Sequence, residues 1–240
     1  MAERIRVQKA IAHAGLMSRR AAEEAISDGR VAVDGKIAVL GDRVDVEDQT
    51  VTIDGSPIPV SPERVTYLLY KPVGVVSTAN DPHGRVTVVD LIDSAKRLYP
   101  VGRLDLDSEG LILVSNDGVL TERVTHPRYG VRKNYLAEVS GSPTPSEVKR
   151  LERGVELDDG PARALRVRKL GTSRGRSQLE VIMVEGRNRE VRRMLEAIGY
   201  ETIRLVRTAI GPIADPSLKA GDSRVLDNVE VAALMREAAE

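Results

Sequence analysis

The sequence predicts an α+β protein made of a small N-terminal unit and a larger C-terminal domain. Three observations lead there. Residues 4–55 hold two short helical patterns followed by strands with Asp-Gly turns. The stretch Ser56-Pro57-Ile58-Pro59-Val60-Ser61-Pro62 then breaks all periodicity and reads as an extended spacer. Beyond it, strands and helices alternate without the regular spacing of parallel crossover units, which favours a mixed, mainly antiparallel sheet flanked by helices. The expected boundaries are 1–57 for the first domain, 58–64 for the linker and 65–240 for the second domain.

The elements follow in order. Val7, Ile11 and Ala14 share one helical face, and Gly15 ends that helix. Ser18 caps a second helix, Arg19 to Ser27, which stops at Asp28-Gly29. Val31 to Val39 alternates around Asp34-Gly35, a hairpin signal. Gln49 to Ile53 is a further strand ending in Asp54-Gly55. In the second domain, strands are expected at Val65–Tyr70, Leu111–Val114, Tyr135–Val139, Gln178–Val184 and Ile203–Val206. Thr144-Pro145 starts a helix that runs to Arg153 and ends at Gly154. Arg189 to Ile198 puts Val191, Met194, Leu195 and Ile198 on one face. The acidic, alanine-rich end, Asn228 to Glu240, is expected to be helical.

Composition narrows the chemistry. The chain has no cysteine, which removes disulfides and thiol nucleophiles. Its histidines, His13, His83 and His126, are far apart, so neither a metal site nor a cofactor is expected. There is no Phe and no Trp, so the core must come from Val, Leu, Ile and Ala, and a flat ligand must stack on Tyr, His or Arg. No apolar run spans a membrane, and the N-terminus lacks the apolar core of a signal peptide, so a cytoplasmic protein with no membrane partner is expected. The net charge is zero, yet residues 123–210 hold 19 Lys/Arg against 11 Asp/Glu. Such a basic face suits a phosphate backbone and predicts affinity that falls steeply with salt.

The segment Gly102-Arg103-Leu104-Asp105-Leu106-Asp107-Ser108-Glu109-Gly110 runs directly into the apolar Leu111-Ile112-Leu113-Val114. Charges at the lip of a buried strand must be paired, solvated or functional, so Asp105 and Asp107 are the first candidates for chemistry. On an extended strand, residues two apart point the same way, roughly 6–7 Å apart at the backbone. That separation admits a glycoside hydrolase pair, although the chain has few aromatics to line sugar subsites. A non-catalytic ribosome-assembly factor is the other alternative.

Two resemblances narrow the choice. Leu16-Met17-Ser18-Arg19-Arg20-Ala21-Ala22-Glu23 and Gly29-Arg30-Val31-Ala32-Val33-Asp34-Gly35 are similar to the RNA-binding module named for ribosomal protein S4. That resemblance implies RNA contacts from Lys9, Arg19, Arg20 and Arg30. Tyr70-Lys71-Pro72-Val73-Gly74, the Gly102-Arg103-Leu104-Asp105 motif, Lys133-Asn134-Tyr135 and Glu185-Gly186-Arg187-Asn188-Arg189-Glu190-Val191-Arg192-Arg193-Met194 together resemble the pseudouridine synthases of ribosomal RNA, the RsuA/RluB family, and its large-subunit members most. The resemblance implies an isomerase that flips a uridine out of ribosomal RNA, breaks its bond to the base nitrogen, rotates the base and rejoins it through carbon, without a cofactor. Asp105 is then the catalytic carboxylate, acting on the sugar or in proton removal. Arg187 is its expected cationic partner, with Arg189 second. Tyr135 stacks on the base, Leu205 closes the pocket, and Arg103 fills the vacated place in the stack. Asp107 is left a supporting role. Arg189, Arg192 and Arg193 are expected to meet phosphates. Lys71-Pro72-Val73-Gly74 and His126 are expected to be structural, and the protein is expected to act as a monomer on a large-subunit precursor.

Overall fold

The structure, a computed structural model, describes residues 4–60 and 63–238. Met1–Glu3, two residues of the expected linker and the last two of the expected C-terminal helix lie outside the described residues. Contacts divide the chain into two units. The first extends to Val65 and takes in Ser94–Leu98 and Asn116–Gly118; the second holds Thr66–Asp93, Tyr99–Ser115 and the chain from Val119 onward. Among the described residues no helix is long and apolar enough to cross a membrane.

In the first unit, β1 (Ile5–Arg6) leads into α1 (Val7–His13) and α2 (Arg19–Ser27), followed by β2 (Val31–Val33), β3 (Lys36–Ile37), β4 (Arg43–Val44), β5 (Val51–Ile53) and β6 (Ser56–Pro57). The Ser18 hydroxyl accepts the Ala21 N–H at 3.1 Å and caps α2. Both Asp-Gly turns are left-handed at their two central residues, with φ of 48° and 77° at Asp34-Gly35 and 49° and 79° at Asp54-Gly55. That geometry matches strand twist, so each turn closes a hairpin, β2–β3 and β5–β6, in a sheet of order β3-β2-β5-β6. The core joins Val7, Ile11, Ala22 and Ile26 from the helices to Val31, Val51 and Ile58. Ile58, the first residue of the expected linker, is therefore a buried member of this unit, and its N–H donates to the Val51 carbonyl. The strands β1 and β4 pair only with each other and are two residues long, too short for an alternation signal.

The second unit contains β7 (Thr66–Lys71), β8 (Tyr99–Val101), β9 (Glu109–Ser115), α3 (Gly118–Thr125), β10 (Lys133–Ser140), α4 (Pro145–Arg153), β11 (Val155–Leu157), β12 (Gly160–Ala162), β13 (Arg166–Ser173), β14 (Arg176–Met183), α5 (Glu190–Ala197), β15 (Thr202–Ile210), β16 (Ser223–Val225) and α6 (Asn228–Glu237). Its main sheet runs β13-β14-β10-β15-β9-β7-β16, with β8 also on β9. The sheet is mixed and mainly antiparallel, because only β9 and β15 pair in parallel. Each residue of β9 from Gly110 to Ser115 is buried, as a continuous apolar run in a central strand requires. Leu68, Leu111, Leu113, Leu120, Val124 and Leu234 form the heart of one core face. Thr144 and Glu147 close a capping box on α4, and Asp227 and Glu230 do the same on α6. The strand β13 was not signalled by the sequence: it is a largely exposed edge strand with almost no apolar alternation.

One residue controls the middle of this sheet. Gly110 lies at φ +106°, and a Cβ there would stand 2.3 Å from the Arg207 carbonyl oxygen and 2.6 Å from its nitrogen. The parallel register, Val206 opposite Glu109 and Arg207 opposite Gly110, is possible only without that carbon. Gly110→Ala is expected to destabilise the protein by about 3 kcal/mol or more in denaturant unfolding. Gly171→Ala on β13, where nothing lies within 4 Å of the added carbon, should change stability by less than about 0.5 kcal/mol.

Candidate active site

The segment between β8 and β9 is a turn held at every carbonyl from Arg103 to Ser108. Arg103 O accepts from Arg207 Nη1 at 3.4 Å, and Leu104 O from the Ser77 hydroxyl at 2.8 Å. Asp105 O accepts the Ser108 N–H at 3.1 Å and Leu106 O the Gly74 N–H at 2.8 Å. Asp107 O accepts from Arg192 Nη2 and Ser108 O from Lys71 Nζ, each at 2.8 Å. Asp105 and Asp107 therefore do not share an extended strand, and the parallel carboxylate pair imagined for a glycosidase is absent. The Asp107 carboxylate accepts from Arg189 Nη1 at 2.8 Å and stands 3.5 Å from Arg192 Nε; the Arg189 hydrogen bond, then the Arg192 charge, hold it below the usual carboxylate range. The half-buried Asp105 carboxylate, by contrast, makes no hydrogen bond or ion pair among the described residues. Its backbone is fixed and its oxygens are left for a ligand.

The expected partner of that carboxylate is corrected here. Arg187 Nε donates to Glu190 at 3.0 Å, Nη1 to the Asp159 carboxylate at 3.0 Å and Nη2 to the Pro161 carbonyl at 2.7 Å. Its guanidinium ties the β11–β12 hairpin to the start of α5, and nearly all its donor capacity is spent there. The cations whose titration feels Asp105 are Lys71, Arg189 and Arg192. Lys71 is fully buried at the end of β7, and burial pushes its ammonium down to about 8 against the pull of Asp105, Asp107 and Glu109. The sequence hid it because a lysine before proline reads as the start of a turn.

Strand pleat builds the wall of the site. Tyr135 on β10 lies opposite Val181 on β14 and Arg207 on β15, while Leu205 lies opposite Ala137 two residues on. Residues two apart share a face, so Tyr135, Leu205 and Arg207 face the same side. A register shift between Asn134 and Tyr135 marks a bulge beside the site, a common way to re-aim a side chain. A cavity of about 130 Å³ results, lined among others by Arg103, Asp105, Tyr135, Arg187, Arg189 and Leu205. The structure thus brings Arg103, Asp105, Tyr135 and Leu205, all singled out from the sequence, into one cavity, with Arg187 as a rim anchor.

The arginines expected to meet phosphates also make contacts within the fold. Arg189 is the N-cap of α5, left-handed at φ 48°, and its Nη1 donates to Asp107. Arg192 is largely buried, and Arg193 forms a two-pronged pair with Asp159 at 2.8 and 2.9 Å. These side chains brace the turn and the hairpin; Arg189 remains exposed, while Arg192 and Arg193 are the more buried of the three. Much of the basic 123–210 region is similarly neutralised within the fold, as by Arg132–Glu237, Arg176–Glu138 and Arg204–Glu109. In the first unit Arg30 is bound to Asp54, with Nε at 2.9 Å. Arg19 and Arg20 are exposed at the start of α2. Burial, followed by the charges of Lys9, Arg64 and Arg19 against that of Asp117, lowers the His13 pKa. His126 accepts the Arg128 N–H at 3.2 Å and caps the short turn Pro127–Tyr129, a structural role.

Comparison with known proteins gives a consistent picture. The profile of the RNA pseudouridylate synthases matches residues 65–197, and that of the S4 domain residues 5–49. The chain is 43% identical over 231 residues to ribosomal large subunit pseudouridine synthase B of Bacillus subtilis (strain 168), covering 94% of this chain and 93% of that protein. It is 45% identical over 219 residues to the protein of the same name from Salmonella typhimurium, covering 88% and 75%. A crystal structure of a pseudouridylate synthase aligns with a TM-score of 0.67 at 27% identity, over 96% of this chain and 99% of that one.

Two outcomes are expected from the charge arrangement. The folded-state pKa of Lys71, about 8, lies below its ordinary value of 10.5, so the unfolded state binds more protons between those values. The stability of the wild type relative to Lys71→Met should therefore rise as pH increases from about 8 to about 10.5, read from paired denaturant titrations. Arg187→Met should cost about 2–4 kcal/mol by leaving the buried Glu190 carboxylate unpaired. Arg187→Met/Glu190→Gln should cost less than the sum of the single changes in the same titrations.

Proposed function

The chain belongs to the RNA pseudouridylate synthase family, and from that premise we propose that it converts one uridine of large-subunit ribosomal RNA to pseudouridine, with Asp105 as the catalytic carboxylate. The observation that carries the assignment of Asp105 is the unengaged carboxylate on a turn whose carbonyls are all held, facing a cavity walled by Tyr135 and Leu205. The reaction is an isomerisation. The bond from the ribose to the base nitrogen breaks, the base turns in place, and a bond from ribose to ring carbon forms as the proton on that carbon is lost and the nitrogen regains one.

Each residue has a task in that sequence. A base inside a helix is out of reach, so the uridine must leave the stack, and Tyr135 and Leu205 receive it while exposed Arg103 occupies the gap. The carboxylate must stay ionised once the base shields it from water, whether it attacks the sugar or removes a proton from it. Lys71, Arg189 and Arg192 supply the positive surroundings for this. The S4 unit, through Lys9, Arg19 and Arg20, docks the enzyme on its ribosomal substrate. The protein works as a monomer in the cytoplasm and without a cofactor.

The test is Asp105→Asn with two readouts. Pseudouridine formation in ribosomal RNA should fall by about 10³-fold or more, while RNA affinity changes by less than about threefold. Modification at the wild-type rate in this variant would reject the assignment of Asp105 and favour a non-catalytic role in ribosome assembly. Mapping pseudouridines in ribosomal RNA from cells with and without the gene identifies the position modified.

A further inference from the structure

A second cavity, about 200 Å³, shares Arg103, Tyr135 and Gly186 with the Asp105 pocket. Its other polar lining groups include two cations, Lys133 and Arg207, set against apolar Val101 and Val124. Arg207 is 5% exposed. Its Nε donates to the Leu111 carbonyl at 2.6 Å and its Nη1 to the Arg103 carbonyl at 3.4 Å, but Nη2 is buried and has no hydrogen-bond partner. Lys133 is partly buried, and its Nζ reaches only the Val184 carbonyl, at 3.4 Å. Neither cation has a carboxylate within ion-pair distance among the described residues. Two like charges converging in a confined cavity without a counterion are unfavourable unless an anion completes the site. Burial and the Arg207 charge already depress the Lys133 ammonium to about 8, and Glu190 and Glu237 oppose this only at longer range.

We propose that this cavity is a phosphodiester subsite, in which Lys133 and Arg207 hold the phosphate attached to the uridine whose base fills the Asp105 pocket; this deepens, and rests on, the isomerase reading. The chemistry explains the need. Midway through the reaction the base is detached and must turn while the ribose stays in register with Asp105. A grip on the base cannot hold the ribose then, and the phosphate is the charged handle that remains. Shared lining by Tyr135 and Arg103 puts the anion subsite next to the base pocket, as one nucleotide requires. Lys133 and Arg207 are in these terms positioning residues for the sugar.

The experiment uses the full chain and an RNA fragment spanning the modified uridine, with the phosphate on its 5′ or its 3′ side replaced singly by a neutral methylphosphonate. In the wild type one of the two replacements should lower kcat/KM by about tenfold, the scale of one charge-assisted hydrogen bond. In Lys133→Met the unmodified RNA should already be about tenfold slower, and the same replacement should cost less than twofold more. Lys133→Arg should restore the sensitivity to the linkage. The proposal is overturned if the linkage effect persists undiminished in Lys133→Met, since a merely structural lysine would leave it intact. It is equally overturned if neither linkage matters, including the case in which inorganic phosphate alone competes and so marks a free-anion site. Failure of the wild type to modify unaltered ribosomal RNA is a separate result that rejects the isomerase reading itself and the subsite with it.

Discussion

The contact on which the site depends is the approach of two backbones at Gly110 and Arg207. The parallel ladder between β9 and β15 is only two residue pairs long, so it has little hydrogen bonding to hold it in register. Glycine makes up for that by letting the strands come closer than any side chain permits. Once Arg207 is seated there, its guanidinium turns back to bond the carbonyls of Leu111 and Arg103, at either end of the segment that bears Asp105. The same strand carries Leu205 into the pocket. One missing methyl group thus fixes the distance between the turn that bears Asp105 and the strand that bears the opposite wall.

Around that contact the chain uses charge mostly as internal bracing. Asp107 and Asp159 are the two hubs. Asp107 gathers Arg189 and Arg192 and ties α5 to the Asp105 turn; Asp159 gathers Arg187 and Arg193 and ties α5 to the β11–β12 hairpin. Exposed pairs of this kind contribute little to stability individually. Their value here is geometric, because a guanidinium with several fixed donors orients everything it touches. This explains how a chain of zero net charge with a basic middle third does not present all of that charge to a phosphate backbone. Among the described residues, the cations near the pocket without ion pairs are Lys71, Arg103, Lys133 and Arg207, and the buried ones among them are accordingly informative.

Much of this was legible in the residues. The Asp-Gly hairpins, the capped helices and the buried β9 all follow local rules that act within a few residues, and the motif around Asp105 lies at the cavity. Asp105, Tyr135, Leu205 and Arg103 meet in one cavity as the resemblance implied. What could not be read was the destination of each long cationic side chain. Arg187, Arg189, Arg192 and Arg193 sit within seven residues of one another, and sequence spacing does not say which guanidinium faces Asp105 and which turns away. The fold decides it: Arg187 precedes α5 and reaches toward the β11–β12 hairpin, while Arg192 lies on the helical face toward the Asp105 turn. Lys71 was missed for a related reason. Its burial depends on the turn of Pro72 and Ser108 carbonyls around it, which no local pattern announces.

The contrast between Asp105 and its neighbours carries the mechanistic weight. Asp107, two residues away, is paired with Arg189 and Arg192, whose hydrogen bond and charge hold it below the usual carboxylate range. Had Asp105 been paired as tightly, its nucleophilicity and basicity would both have been spent on the protein. The structure instead separates the two requirements. Backbone hydrogen bonds to six successive carbonyls supply rigidity, and cations that touch the turn or Asp107, not the Asp105 oxygens, supply the electrostatic setting. Positioning through the backbone costs the carboxylate nothing in reactivity. On the proposed reading of Asp105 that division is what the reaction requires, and it accounts for why so short a turn engages three arginines, a buried lysine and a serine.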